Sequence, residues 1–267
     1  VNGTLNGFPL VSNAHWQPGR IAGSLRLDGL NDHIAFPGAT VLDDLNPFSF
    51  SGWIKPEAGN DGYLVAKRSE LTGFWRLSTT PSALSWVRDF SGSESTGYTA
   101  TTPQLVEQWR HLAFTWNGEA TGEHTALYID GVKFPNPTRT NGTGSMLSDS
   151  GNLFTIGNRP QNNSSHFKGL LDDYRIWNRS LSGDEVAELY AMAPPEPVAV
   201  TDANFDAAVN LWFSNEANAT ATYGRISDWN VSAVTDMAEA FKDQVSFNEN
   251  ISGWDVGNIT NMYRMFY

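Results

Sequence analysis

The chain has 267 residues, with 17 Lys and Arg against 29 Asp and Glu, so its formal net charge is −12. This balance argues against a nucleic acid partner, because phosphate binding needs a basic surface. The absence of cysteine excludes disulfide scaffolds, thiolate catalysis and cysteine-ligated zinc. The sequence also lacks any apolar run near the roughly 18 residues that a transmembrane helix requires.

Residues 21–177 show a period of two in short runs bounded by Gly, Pro, Asn and Asp, which predicts half-buried antiparallel strands. We expect strands at 24–27, 33–36, 48–55, 63–67, 74–78, 83–88, 108–116, 125–134, 153–156 and 167–177. Asp130 and Gly131 predict a two-residue hairpin turn, since a type I′ turn needs positive φ at both positions. Many short strands without a long helix favour a mainly β fold, an antiparallel jelly-roll β-sandwich.

One helix follows the last strand. Ser182 is a good N-cap with Glu185 three residues on, and Leu181 and Val186 can pack across the cap, so the helix should run to about Tyr190. The Pro-rich segment 194–200 then predicts a stiff linker. We therefore expect a sandwich domain over residues 1–193 and a second domain over residues 201–267.

The second domain contains an internal repeat. DWNVSAVTDM at 228–237 matches GWDVGNITNM at 253–262 with a spacing of 25 residues, after a predicted helix at 202–214. Such a period predicts the start of an α/β solenoid, whose core would hold six repeated residues: Trp229, Met237, Phe241, Trp254, Met262 and Phe266. Because solenoids need about three units, we expect the array to be longer than the part seen here.

Five segments carry a family resemblance over about two thirds of the chain. They are GSLRLDG at 23–29, FSFSGWIKP at 48–56, WRHLA at 109–113, LYIDG at 127–131 and GLLDDYRIWNRSLS at 169–182. In this order they resemble the laminin G-like, concanavalin A-like lectin/glucanase superfamily. Residues 251–266 resemble the BspA-like leucine-rich surface-protein repeat. Both resemblances imply an extracellular or cell-surface protein.

Catalysis is not expected. A retaining glucanase needs two carboxylates about 5 Å apart, which on a strand means positions i and i+2 or i+4, and no Glu-x-Asp-x-Glu or Glu-x-Asp-x-x-Glu string occurs. The histidines also lack the spacing of zinc proteases.

Calcium is the expected cofactor. The resemblance implies a structural Ca²⁺ between the turn after the first core strand and the start of the last strand, where hard oxygen donors are available. Its ligands would be Asp28, Asn31, Asp32, Asp172 and Asp173. The alternative is that Asp172 only accepts hydrogen bonds from backbone amides in a turn.

A glycan platform is the expected binding site, because sugars are recognised by aromatic faces together with planar hydrogen-bonding groups. Trp75 and Trp86 are each followed closely by an arginine, and the alternative is that both rings pack against the second sheet. The candidate ligand-binding residues are Trp75, Arg76, Trp86, Arg88, Tyr98 and Arg159, with Arg68, Asp89 and Asn158 nearby in loops.

These features predict a noncatalytic, extracellular carbohydrate-binding or adhesion module of a larger surface protein. Its partner would be a glycan or cell-surface polysaccharide. Two alternatives stay open: a structural or assembly subunit that contacts neighbouring surface proteins, and an accessory module of a polysaccharide-degrading enzyme. The loops that would separate them cannot be interpreted from sequence.

Overall fold

The computed structural model describes residues 2–8, 15–21, 23–68, 73–80, 83–98, 105–121, 125–135, 138–193 and 197–267, with only the backbone for 95–98. The chain forms two compact units, Val1–Ala193 and Pro194–Tyr267.

The first unit is a β-sandwich. Its described residues form fifteen strands: β1 (Thr4–Asn6), β2 (Trp16–Pro18), β3 (Gly23–Asp28), β4 (His33–Phe36), β5 (Phe48–Pro56), β6 (Gly62–Lys67), β7 (Trp75–Thr80), β8 (Ala83–Arg88), β9 (Ser95–Tyr98), β10 (Arg110–Trp116), β11 (Thr125–Ile129), β12 (Val132–Lys133), β13 (Thr138–Thr140), β14 (Phe154–Ile156) and β15 (Lys168–Trp177). One sheet has the order β1-β4-β14-β6-β7-β8-β9-β13, and the other has the order β12-β11-β10-β5-β15-β3-β2. The described strand pairs are antiparallel, which is consistent with the predicted jelly-roll sandwich.

The alternating sequence pattern predicted the central strands correctly but missed four short strands. β1, β2 and β13 lie at sheet edges and β9 lies next to an edge. A strand of three or four residues is too short to show alternation, and an edge strand has fewer buried positions. The predicted hairpin is confirmed, because Asp130 and Gly131 have φ of 52° and 75° and Ile129 pairs with Val132.

The main core lies between the two sheets and is rich in aromatic rings. Trp86 stacks on Phe114 across the sandwich with ring centroids 4.7 Å apart, and Phe48 lies 4.8 Å from Trp75. All four side chains are at most 1% exposed. Rings of this size contribute much of the apolar area that stabilises such a sandwich.

Helix α1 (Gly183–Ala191) covers part of the outer face of the seven-stranded sheet. It begins with the predicted capping box, in which Ser182 and Glu185 accept from each other's backbone amides. Leu181 and Val186 pack with Ala113 and Tyr128 in a second apolar cluster. The sequence-level interpretation of this helix is therefore confirmed.

A buried ion network joins two strands of the eight-stranded sheet to two loops. Asp149 accepts from Lys67 Nζ at 2.8 Å and from Arg88 Nη1 at 2.5 Å, and all three side chains are fully buried. Lys67 also donates to Asp43 Oδ1 at 2.5 Å. The backbone amides of Asp44 and Asp149 each donate at 2.9 Å to the other residue's carboxylate. Two cations thus face two carboxylates, and the exchange between the aspartates ties the loops together.

We predict that Asp149→Asn lowers the free energy of unfolding by about 3–5 kcal/mol, because the change leaves Lys67 and Arg88 buried without their shared anion. Glu57→Gln is the control, since it breaks the partly exposed Arg26–Glu57 pair and should cost about 1 kcal/mol or less. Urea unfolding of both variants measures the difference. Equal losses would contradict a special role for the buried network.

His111 makes the stability of the sandwich sensitive to acid. It is 2% exposed and lies between Trp53 and Tyr190, and its buried Nδ1 has no hydrogen-bond partner in the part of the chain that the structure describes. Burial lowers the pKa of His111 to about 4, with Arg175 acting in the same direction and Asp130 against it.

The unfolded state therefore binds a proton near pH 6.5, where the folded state does not. The contribution of His111 to stability is complete above pH 6.5 and is lost as the pH falls toward 4. We predict that His111→Gln removes about 2 kcal/mol of the stability difference between pH 7 and pH 4.5. Urea unfolding at both pH values checks this, and an unchanged difference would refute it.

The second unit contains α2 (Phe205–Ser214), α3 (Glu216–Tyr223) and a 3₁₀ turn at Ile226–Asp228. The 25-residue repeat is visible in its packing, because Trp229 stacks on Trp254 and Phe241 stacks on Phe266 with interplanar angles of 9° and 12°. The backbone amide of Met237 donates to the carbonyl of Asn261, which sets equivalent segments side by side.

The predicted solenoid is not shown. Residues 197–267 contain isolated parallel bridges, at Thr201–Ala233 and Asp236–Asn261, where an α/β solenoid would have strands. The predicted core is also only partly correct. Trp229, Met237, Phe241 and Trp254 are buried, whereas Met262 is 46% and Phe266 is 63% exposed.

Candidate functional site

The outer face of the eight-stranded sheet is the candidate site. Along β7, Trp75 and Leu77 point into the core, so Arg76, Ser78 and Thr80 point outward and are partly exposed. The opposite outer face of the sandwich is partly covered by α1. On the outer face of the eight-stranded sheet, Tyr63, Arg76, Ser78, Thr80 and Ser85 are partly exposed and form the candidate surface, whereas Ala66 and Val87 are buried.

Cross-strand register sets a row of residues on this surface. Tyr63 pairs with Ser78, and Ser78 pairs with Ser85. Paired residues share a face, so a tyrosine ring lies beside two small hydroxyl side chains. Tyr98 continues the row at the position opposite Ser85, and its side chain lies outside the description.

Arg76 lies at the centre of the surface. Its guanidinium is 5.1 Å from the centre of the Tyr63 ring, and Nη1 donates to Ser78 Oγ at 2.5 Å. Desolvation lowers the pKa of Arg76, and Arg68 and Arg159 lower it further, while Tyr63 and Glu94 raise it. Of these two arginines, Arg68 directly follows β6 and Arg159 lies in the loop between β14 and β15.

Gln161 holds these two other arginines. Its Oε1 accepts from Arg68 Nε at 2.7 Å and from Arg159 Nη2 at 2.9 Å. Arg68 also lies over the Phe74 ring, 3.8 Å from its centre. Both guanidinium groups are thus fixed by neighbours, so little conformational entropy is lost when a ligand binds them.

The loop between β14 and β15 carries Arg159 and Gln161 over the sheet. Thr155 donates through Oγ1 to the carbonyl of Asn158 at 3.1 Å, and it lies beside Ala66 on the outward side of the sheet. Arg159 and Ser164 exchange backbone hydrogen bonds of 2.8 and 3.3 Å. These bonds fix the loop in place, so that it forms a raised border, or wall, along one side of the surface.

The structure divides the predicted ligand-binding residues between the two faces of the sheet. Trp75, Trp86 and Arg88 lie inside the sandwich at 0–1% exposure, so they cannot contact a ligand, and the packing alternative is correct for both tryptophans. Arg76 and Arg159 lie together on the outer surface. Tyr63, Ser78 and Gln161 were not among the predicted residues, although alternation along β7 already places Trp75 with Leu77 on one face and Arg76 with Ser78 on the other.

The loop residues named with them have structural partners. Asp89 accepts from the backbone amide of Gly73 at 3.0 Å. Asn158 is 1% exposed and its amide donates to Asn163 Oδ1 at 2.9 Å. Neither side chain adds to the open surface, whereas Arg68 does.

The five predicted calcium ligands lie in two separate places. Asp28 is opposite Lys168, and Asp172 is four residues farther along β15, which corresponds to about 13 Å. Asp172 Oδ2 accepts from the amide of Ile21 at 2.8 Å, and Asp173 pairs with Arg175 at 2.9 Å. In the described residues, groups of three or more Asp, Glu or His suited to a metal ion are absent.

The turn at Asp28, Asn31 and Asp32 fits an ion better than the separated set. Asp28 Oδ1 accepts from the amides of Leu30 and Asn31, and Asp32 Oδ2 accepts from the amide of Asp28. Asp32 Oδ1 is buried and has no hydrogen-bond partner among the described residues, and burial raises the pKa of Asp32. Calcium at this turn stays a prediction, and Asp172 and Asp173 do not join it in this arrangement.

Comparison with known families agrees with the fold. Residues 28–187, more than half of the chain, match the family described as Concanavalin A-like lectin/glucanases superfamily. The chain belongs to this superfamily. Its first unit is therefore a lectin-like sandwich, as the five sequence segments predicted.

Solved structures of toxin binding domains share this fold. The binding domain of Paraclostridial Mosquitocidal Protein 1 is 20% identical, with a TM-score of 0.53 over 71% of this chain and 47% of that one. The receptor binding domain of a botulinum neurotoxin C/D mosaic serotype is 16% identical, with a TM-score of 0.54 over 75% and 48%. The chain thus spans about half the length of these proteins, and at this identity the likeness concerns the fold alone.

The second unit requires a correction. Residues 207–267 match a family described as Mycoplasma protein of unknown function, DUF285, which is not the BspA-like leucine-rich repeat that the sequence pattern predicted. The 25-residue spacing reflects real stacking, but a period alone does not distinguish between repeat families. Helices of the length and hydrophobicity needed to span a bilayer are absent from the described residues.

Proposed function

We propose that the first unit is a noncatalytic, extracellular glycan-binding module that binds through the outer face of its eight-stranded sheet. The observation that carries this proposal is the surface built by Tyr63, Arg76 and Ser78 under the wall of Arg159 and Gln161. It combines an aromatic ring, hydroxyl groups and planar guanidinium donors, which are the groups that proteins use to bind sugars.

The geometry of this surface favours ligand binding over catalysis. The donors are held by the protein's own residues, so they can orient a ligand with little rearrangement. The sheet face lies between the β14–β15 loop and the row of small side chains at Ser78 and Ser85. This shape suits a chain-like ligand that lies across the strands. The lectin-like family membership supports the same kind of function.

We predict that Ser78→Trp weakens glycan binding by about tenfold or more, because the added ring fills the middle of the surface. A glycan array of the full chain, carrying neutral and acidic oligosaccharides, identifies a ligand, and calorimetric titration then measures its affinity. Ser252→Trp, at an exposed position in the second unit, is the matched control and should bind as the original chain does.

Equal binding by both tryptophan variants would place the glycan elsewhere and refute the proposed face. If the folded protein binds no glycan on the array, glycan recognition is refuted and contacts with neighbouring surface proteins are favoured instead.

We further propose that the sandwich is stabilised by calcium at the turn of Asp28, Asn31 and Asp32. Asp32 Oδ1 supports this, since it has no hydrogen-bond partner among the described residues and could ligate an ion, while His15 Nδ1 lies 3.9 Å from the other carboxylate oxygen, Oδ2. We predict that millimolar calcium raises the melting temperature of EDTA-treated protein by a few degrees and that Asp32→Asn abolishes the rise. Identical melting curves with calcium and with EDTA would refute it.

A further inference from the structure

The outer surface of the eight-stranded sheet gathers positive charge in a protein with a formal net charge of −12. Arg68 and Arg159 share the Oε1 atom of one glutamine, and Arg76 pairs with Ala66, which pairs on its other side with Thr155 on the strand that leads into the Arg159 loop. Three guanidinium groups therefore converge on one side of the sheet. Mutual repulsion makes such a cluster unfavourable unless an anion offsets it.

Most other arginines of the first unit are neutralised by carboxylates. Arg26 pairs with Glu57 and Arg110 with Asp130, and further pairs join Arg88 to Asp149, Arg175 to Asp173 and Arg179 to Glu185. By contrast, Arg68, Arg76 and Arg159 form no ion pair within the described residues. Glu94 is the nearby carboxylate that acts on Arg76, and it acts without a salt bridge.

Arg76 also keeps donors that are poorly satisfied. Among the described residues, the Arg76 side chain makes one hydrogen bond, to a neutral hydroxyl, although a guanidinium carries five N–H donors. An acidic group placed against Arg76 would satisfy these donors and relieve the repulsion, and a planar carboxylate fits a guanidinium fork in a bidentate way.

We propose that the module recognises an acidic sugar, whose negatively charged oxygens are held by Arg68, Arg76 and Arg159. This inference rests on the proposed glycan-binding function and specifies its substrate class. The shared chemistry is an oxyanion on a saccharide, supplied by the carboxylate of a uronic acid or by a sulfate ester. Neighbouring neutral rings of the same ligand would lie along Ser78 and Ser85.

The test is calorimetric titration of the full chain with three probes: oligogalacturonate, a sulfated oligosaccharide and a neutral galacto-oligosaccharide of equal length. We expect at least one acidic probe to bind about tenfold or more tightly than the neutral one, and Arg76→Gln to remove about tenfold or more of that affinity. Raising the salt from about 50 to 500 mM should weaken the acidic probes and leave the neutral one nearly unchanged.

Arg225→Gln is the matched control, because it removes the same charge from an exposed residue of the second unit and should change affinity less than about twofold. Thermal melting verifies that both variants fold. The carboxylate and sulfate probes decide which oxyanion the cluster prefers, and either preference supports the proposal.

Equal affinity for neutral and acidic probes, or an Arg76→Gln variant that binds as well as the original, would overturn it. If Ser78→Trp still abolishes binding in that case, the sheet face binds glycans and only the preference for acidic sugars is wrong. If neither variant changes binding, the proposed function fails as well.

Discussion

The sandwich depends on a group of charges that water cannot reach. Asp149 lies between Lys67 on β6 and Arg88 on β8, all three fully buried. A desolvated ion is costly by several kcal/mol, so these strands can keep their positions only if the loops that bring Asp43 and Asp149 also keep theirs. The network thus couples two loops, 105 residues apart in sequence, to the middle of the eight-stranded sheet.

That coupling bears on the outer surface of the same sheet. Alternation along each strand places inward and outward residues one position apart, so fixing Lys67 and Trp75 inside also fixes Arg68 and Arg76 at the boundary and outside. Any slip of one residue in β7 would move Trp75 to the surface and Arg76 into the core. The ion network and the aromatic core therefore define the geometry of the arginine cluster without touching it.

The sequence could predict much of this fold, and its failures have physical causes. Alternation identified the central strands, and turn and capping chemistry identified the Asp130-Gly131 hairpin and helix α1. The short edge strands had too few residues to show a period. Arg88 was misplaced because an arginine on a strand normally faces solvent, and its buried partner Asp149 is 61 residues away. Such pairing is a long-range property that local patterns do not contain.

The candidate site shows the same division between local and long-range information. Arg76 could be chosen from the sequence, since it sits beside a tryptophan on a predicted strand. The contribution of Gln161 could not, because it depends on the β14–β15 loop folding back over β6 and on one amide oxygen reaching two arginines. The second unit adds a related lesson: its repeated tryptophans do stack, yet spacing alone assigned them to the wrong repeat family.

The charge distribution links the fold to the proposed ligand. At physiological ionic strength the field of an exposed charge decays over about 8 Å, so the overall charge of −12 acts weakly on a ligand already held against the sheet. The three guanidinium groups act within that distance, where they are partly desolvated and therefore interact strongly. An acidic chain would be repelled by most of the acidic protein and attracted at this face. A protein that is acidic overall can in this way bind an acidic ligand at a local cluster of arginines.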